Sequence, residues 1–324
     1  MRVFGALLTL ALASGMVVTP GAAAETSPAA TAKTDCAQAR LVDDPGHDPD
    51  NPPESEVVEE QTAEERILQE LFDQHQLPQG MLVEGQDGKI HANLATGQVK
   101  IPVYVHVVST GDTGKITDDT VRKQIAVLNN NFGAATGFAF VLRGTDRTDN
   151  QNWFQAVTAS PAEKAMKTKL HKGRAGDLNL YFNNPGYKAP GDGKLLGIAT
   201  WPKDYASSAA LDGVVVKYNT VPGGAFKPYD QGKTATHEVG HWLGLYHTFQ
   251  GGCEAPGDEV DDTPYEAEPA AGCPQGQDSC PAPGTDPVHN YMDYSDDSCM
   301  TTFSPGQAQR AADHWAAYRQ PRSA

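Results

Sequence analysis

The chain has 324 residues, of which 39% are hydrophobic and 20% charged, with a formal net charge of −16. That length suits one sizeable domain plus a smaller piece. The acidic balance, with no basic patch carrying interleaved aromatics, excludes a nucleic-acid footprint, and beyond the N-terminus no stretch is apolar enough to cross a bilayer.

Residues 1–24 carry Arg2, an apolar run from Val3 to Val18 and the small residues Ala22-Ala23-Ala24. This pattern predicts a secretory signal peptide cut after Ala24. The run is shorter than the ~20 residues of a spanning helix, and no stop-transfer charges follow. The expectation is a secreted, extracellular protein without a membrane anchor.

The acidity is concentrated in residues 25–95. This segment holds 16 Asp/Glu against 4 Lys/Arg, a net charge of −12, and leaves only −5 for residues 96–324. Pro-, Asp- and Glu-rich stretches such as Asn51-Pro52-Pro53-Glu54 predict extended chain. One helix is expected, started by a Thr62/Glu65 capping box and carrying an apolar stripe of Ile67, Leu68, Leu71 and Phe72. The stripe needs a surface to cover, which an acidic prosegment (25–95) docked on a catalytic domain (96–324) would find.

Within that domain, alternating Ile101, Val103, Val105 and Val107 predict a strand over Val99–Val108. A helix follows, capped by Thr117, with Val121, Ile125, Leu128 and Phe132 on one face. Phe138–Leu142 reads as a second strand, and Ser160-Pro161-Ala162-Glu163 opens another helix. Leu178–Phe182 and Val214–Tyr218 suit central strands, while Leu195–Trp201 between them suits an edge to which a peptide can add. A final helix is expected over Ser304–Tyr318, capped by Ser304 with Gln307 and packing through Ala308, Ala311, Trp315 and Tyr318.

Between the edge strand and that last helix lies His237-Glu238-Val239-Gly240-His241-Trp242-Leu243-Gly244-Leu245-Tyr246-His247. His237 and His241, four apart on a helix, point their imidazoles from one face toward a shared point where zinc can bind. Glu238 sits beside them, where a general base is needed. His247 lies six residues on, so the helix must stop first, and Gly244 is the residue that enters the left-handed region at little cost. This long form with a later Met-turn is the metzincin signature. His289 reads as a neighbour or surface residue, His106 and His314 as packing or surface residues.

Cys253, Cys273, Cys280 and Cys299 all follow this motif. In an exported chain an even set reads as two disulfides, for which the residues leave three pairings open; the rival zinc site lacks a Cys-x-x-Cys pair. The remaining Cys36 is either a thiolate filling the fourth zinc position of a latent form or a free thiol in a tail.

The zinc motif, Asp262-Thr263-Pro264, Asn290-Tyr291-Met292-Asp293-Tyr294 and Asp296-Asp297-Ser298-Cys299-Met300 together resemble the pappalysin family of metzincins, including its cytophagalysin- and ulilysin-like members. The resemblance is strong over 195–310 and slight in the N-terminal segment. It implies a metzincin-like α+β fold: a twisted, mostly parallel sheet with helices above a cleft floored by the zinc helix, then a loop-rich, disulfide-bonded lower half ending in a helix. Met292 would underlie the zinc histidines, and Tyr294 would ligate the metal at rest or hydrogen-bond the oxyanion. Cys253 would pair with Cys280 and Cys273 with Cys299. Calcium would occupy the acidic turn at Asp258, Glu259, Asp261, Asp262 and Thr263.

The function expected is a zinc endopeptidase acting on protein or peptide substrates, made as a latent proenzyme and monomeric. The alternatives are a secreted zinc-containing binding protein of the same fold and a zinc hydrolase of a non-peptide bond. Asp296 and Asp297 are candidates for lining a pocket that favours basic side chains.

Overall fold

In the computed structural model the described residues are 52–94, 99–133, 135–187, 189, 191 and 195–321. The signal-peptide reading and Cys36 lie outside them. The chain divides into two units, 1–34 and 35–324, and every described residue belongs to the second.

The alternation at residues 101–107 produces β3 (Val99–Ser109), whose even and odd positions face two separate cores. N-terminal to it come α1 (Glu54–Asp73) and the hairpin β1 (Leu82–Glu84) and β2 (Ile90–Ala92). After β3 the chain forms α2 (Asp118–Phe132), β4 (Phe138–Asp149), the short α3 (Gln151–Phe154) and α4 (Pro161–Leu170). Then follow β5 (Leu178–Asn183), β6 (Gly197–Ala199), the short α5 (Tyr205–Ser208) and β7 (Val214–Lys217). The last helices are α6 (Lys233–Trp242) and α7 (Pro305–His314), the latter ending in a π turn over Trp315–Arg319.

Sheet order is β4-β3-β5-β7-β6, parallel except for β6, which runs antiparallel to β7 at the edge. Strands β5 and β7 are buried throughout, as parallel strands covered on both faces must be. One face packs Ile101, Val103 and Val105 against Val121, Ile125 and Leu128 of α2 and against Ala235, Val239 and Trp242 of α6. The expected α+β architecture, a mostly parallel sheet with helices packed on it, is the one observed. His106 is core and not surface: its ring stacks on Tyr181 at 4.6 Å, between the Asp146 carboxylate at 2.9 Å and Asn179 Oδ1 at 3.0 Å.

Three elements differ from their expected bounds by more than one residue at an end. Helix α1 begins at Glu54, eight residues before Thr62, because Thr62 spends its hydroxyl on the carbonyl of Val58 within the helix and not on a cap. Strand β4 continues to Asp149, since β3 supplies a parallel partner along its whole length. The edge strand shrinks to Gly197–Ala199, having β7 on one side only.

The apolar stripe of α1 finds its surface on the C-terminal helix. Leu68 and Leu71 pack with Leu82, Ile90, Ala312, Ala316 and Ala317. The polar positions Glu60 and Glu64 are buried too, and meet Lys203 at 3.0 Å, the Tyr246 hydroxyl at 2.8 Å and His314 at 3.0 Å. The lower half, with little regular structure, is closed by the disulfides Cys253–Cys280 and Cys273–Cys299, which limit the unfolded chain's freedom where no apolar core can form.

A buried ion pair fastens the segment after α7 to α6. Arg319 bonds both Asp212 oxygens at 3.2 Å, donates to the Trp242 carbonyl at 2.7 Å and lies 3.7 Å over the Trp242 ring. Asp212 also receives Trp242 Nε1 and Thr200 Oγ1. Asp212→Ala leaves the guanidinium buried without its counter-charge, and should lower unfolding free energy by about 3–5 kcal/mol. Urea midpoints at constant m-value check this; an unchanged midpoint would refute it.

Candidate active site

Helix α6 starts after Gly232 and has every residue from Thr234 to Trp242 buried. It ends as Gly244 requires. At φ 92°, Gly244 turns the chain; its amide bonds to the His241 carbonyl at 2.8 Å and the Leu245 amide to the Gly240 carbonyl at 3.0 Å. That pair of bonds is the Schellman motif. A second constraint acts at the same atom, because a Cβ on Gly244 would lie 2.3 Å from the His314 ring. Arg310 Nε holds the Gly244 carbonyl at 2.8 Å, and its guanidinium sits 4.7 Å over the Tyr246 ring.

The turn returns His247 to its two partners. The three Nε2 atoms of His237, His241 and His247 form a triangle with every side 3.1 Å. Hydrogen bonding fixes what those atoms carry. Nδ1 of His237 lies 2.8 Å from the Tyr291 carbonyl and Nδ1 of His241 lies 2.7 Å from that of Leu245, so each must hold its proton at Nδ1 and present a lone pair at Nε2. Burial pushes the His241 imidazole down to about 4, which keeps it neutral at physiological pH. Nitrogens bound tetrahedrally at 2.0–2.1 Å to one zinc are spaced by about 3.3 Å, so the triangle fits that ion.

Glu238 follows the first histidine and is buried. Its carboxylate lies against Gly197 of β6. Tyr294 brings its hydroxyl to 2.9 Å from His247 Nε2, with its ring 5.4 Å from His237. Met292 is fully buried beneath Gly240, where an added Cβ would come within 2.3 Å of its sulfur. The Met-turn (290–294) is tied to the residue after His247 by a bond from the Thr248 amide to the Met292 carbonyl. Nearby, Thr248 donates to Glu266 at 2.8 Å. Burial, reinforced by the Asp293 charge, pushes Glu266 up to about 9, so this carboxyl keeps its proton at neutral pH.

The other candidates separate. Asp258 and Thr263 come together, hydroxyl to carboxylate at 2.8 Å, whereas Asp261 and Asp262 are exposed and Asp262 bonds the Gly306 amide. Asp297 is buried and accepts from the amides of Gln231 and Lys233 at the start of α6. Its carboxylate orders that helix end. His289 is exposed, with Nδ1 2.8 Å from the Cys299 carbonyl. Arg310, behind Gly244, is a residue that sequence reading missed, its cue being a charge within the apolar face of the last helix, whereas His314 is one of the packing residues it was read as.

Comparison with known proteins decides the family. The family model described as pregnancy-associated plasma protein-A matches residues 173–316. An extracellular metalloprotease of Pyricularia oryzae is 48% identical over 246 residues, covering 74% of this chain and 83% of that protein. The chain belongs to the pappalysin family. Another extracellular metalloprotease, of Verticillium alfalfae, is 49% identical over 233 residues, or 69% of this chain and 78% of its own. Among solved structures, mature mirolysin of Tannerella forsythia, in complex with a cleaved peptide, is 28% identical with a TM-score of 0.56, covering 69% of this chain and 99% of that one. This pappalysin is therefore an extracellular zinc metalloendopeptidase whose substrates are proteins or peptides.

Proposed function

We propose that this pappalysin hydrolyses internal peptide bonds with zinc held by His237, His241 and His247, Glu238 as general base and acid, and Tyr294 as the oxyanion donor. The observation that carries the reading is the triangle of three Nε2 atoms, two of them fixed as lone-pair donors by carbonyls at their Nδ1 atoms. Zinc, when bound there, supplies Lewis acidity and lowers the pKa of water to about 7.

The chain's own groups account for the rest. Strand β6 has β7 on one side only, so an extended substrate can add to its outer edge and present one carbonyl to the site. Glu238 removes the proton from the attacking water and returns it to the leaving amine. The Tyr294 hydroxyl donates to the oxygen on which charge develops. Met292 gives the histidines a rigid apolar floor.

Residues 1–24 are proposed as the signal peptide, 25–95 as the prosegment and 96–324 as the catalytic domain. The Pro52 carbonyl bonds Gln250 Nε2 at 2.7 Å, three residues beyond His247. From there the chain back to Cys36 can extend up to about 50 Å, ample for its thiolate to close the zinc position in a latent form.

Calcium at the Asp258 turn completes the proposal. Burial pushes the Asp258 carboxyl up to about 7, against the usual 3.8. With the folded pKa raised, its burial costs progressively more stability as pH rises from about 4 to 7, and is fully costly above that. A cation binding Asp258 and the Thr263 hydroxyl offsets the cost. Millimolar calcium should therefore raise Tm more at about pH 8 than at about pH 5, and Asp258→Asn should abolish the increment. Equal increments in both proteins would remove calcium from this turn.

For the chemistry, Glu238→Ala in the processed enzyme should lower kcat on a denatured protein by about 10²–10⁴-fold while zinc content stays at the wild-type level. Full activity in this variant would exclude Glu238 as the base.

A further inference from the structure

We propose that Gly197 is a positioning residue for Glu238, a role that rests on reading Glu238 as the base. The absent side chain leaves the space in which the carboxylate is held.

The first observation is that backbone conformation does not call for glycine at this position. Gly197 is not among the glycines with positive φ; it is a paired strand residue, in register with Val216 of β7 and flanked by Leu196, whose carbonyl accepts from Lys217 at 2.7 Å. In such a position glycine weakens a strand relative to a residue with a side chain, and it marks a close approach by another group.

That group is Glu238. A Cβ built on Gly197 would lie 2.5 Å from Glu238 Cγ, 2.5 Å from Oε1 and 2.6 Å from Cδ. All three of the closest atoms belong to the carboxylate arm, and none to backbone. Alternation along β6 explains the direction. Ile198 joins the core on the far face of the sheet, with Val108, Phe154 and Tyr181, while Ala199 joins Ala235, Val239 and Trp242 of α6. Gly197 shares the α6 side with Ala199. Ala199 is small enough to admit the helix, and Gly197 admits the base that the helix carries.

The consequence separates function from folding. The three atoms nearest a methyl group at 197 all belong to a side-chain arm and none to backbone, and that arm can shift, so the strand should still form. The carboxylate moves, and displacing a catalytic group by about 1 Å costs on the order of 100-fold in rate.

Gly197→Ala in the processed enzyme is the test, read with a peptide substrate. The expected result is a kcat lowered on the order of 100-fold, KM within about twofold, unchanged zinc stoichiometry, and a displaced acidic limb of the kcat/KM pH profile. A double-mutant cycle isolates the contact. Glu238→Asp shortens the arm by one methylene, so Gly197→Ala should cost far less in that background than in the wild type. Loss of the fold in Gly197→Ala, an unaltered kcat and pH profile, or fully additive effects would each overturn the proposal. Glu238→Ala run beside them tells the two readings apart: if that variant stays active the base assignment fails, whereas an inactive Glu238→Ala beside an unaltered Gly197→Ala removes only the role of Gly197.

Discussion

Nε2 of His237 and Nε2 of His241 lie 3.1 Å apart in a buried site, with Nε2 of His247 3.1 Å from each. Their lone pairs repel, and the carbonyls behind His237 and His241 prevent either ring from turning its proton inward. A divalent cation converts that repulsion into binding. Much of the surrounding structure can be understood as holding this arrangement against its own electrostatics: the Tyr291 carbonyl from the Met-turn, the Leu245 carbonyl from the zinc turn, and Met292 closing the floor.

The turn at Gly244 is held from outside as well. Arg310 binds its carbonyl and covers Tyr246, while His314 fills the space a side chain would need. Both come from α7, and α7 in turn meets the buried Glu60 and Glu64 of α1. The ring of Trp201 stands 5.3 Å from His241 and packs with Val57 of α1 and with Tyr246. A continuous set of contacts thus joins the segment before the sheet to the histidines. Removal of α1 would take Glu60 and Glu64 away from His314 and Arg310 and leave Glu259 beside the Arg310 guanidinium.

What the sequence made legible follows from how local each feature is. The spacing of His237 and His241 is a property of one helix, the stop at Gly244 a property of one residue, and the strands and helix caps of residues 99–182 are set within a few positions. The helix capped by Thr117 and the final helix capped by Ser304 start where those residues place them. Thr62 had the same local pattern, yet α1 runs through it, because Val57, Glu60 and Glu64 gain partners only in the folded chain. Gly197 carried no local cue, since its neighbour Glu238 arrives from 41 positions away. Asp297, a candidate for lining a pocket in the sequence, accepts instead from amides at the start of α6, more than 60 positions earlier in the chain. The disulfide partners were open in the residues and set by family resemblance, consistent with pairings that depend on tertiary loops.

The proposed chemistry depends most directly on metal in the histidine triangle. Metal analysis of the purified wild-type chain and of His247→Ala, each after dialysis against a weak chelator, addresses it. The wild type should retain about one zinc per chain, and loss of one of three ligands should leave the variant essentially metal-free. Zinc retained equally by both, or a fully active wild type holding none, would contradict it.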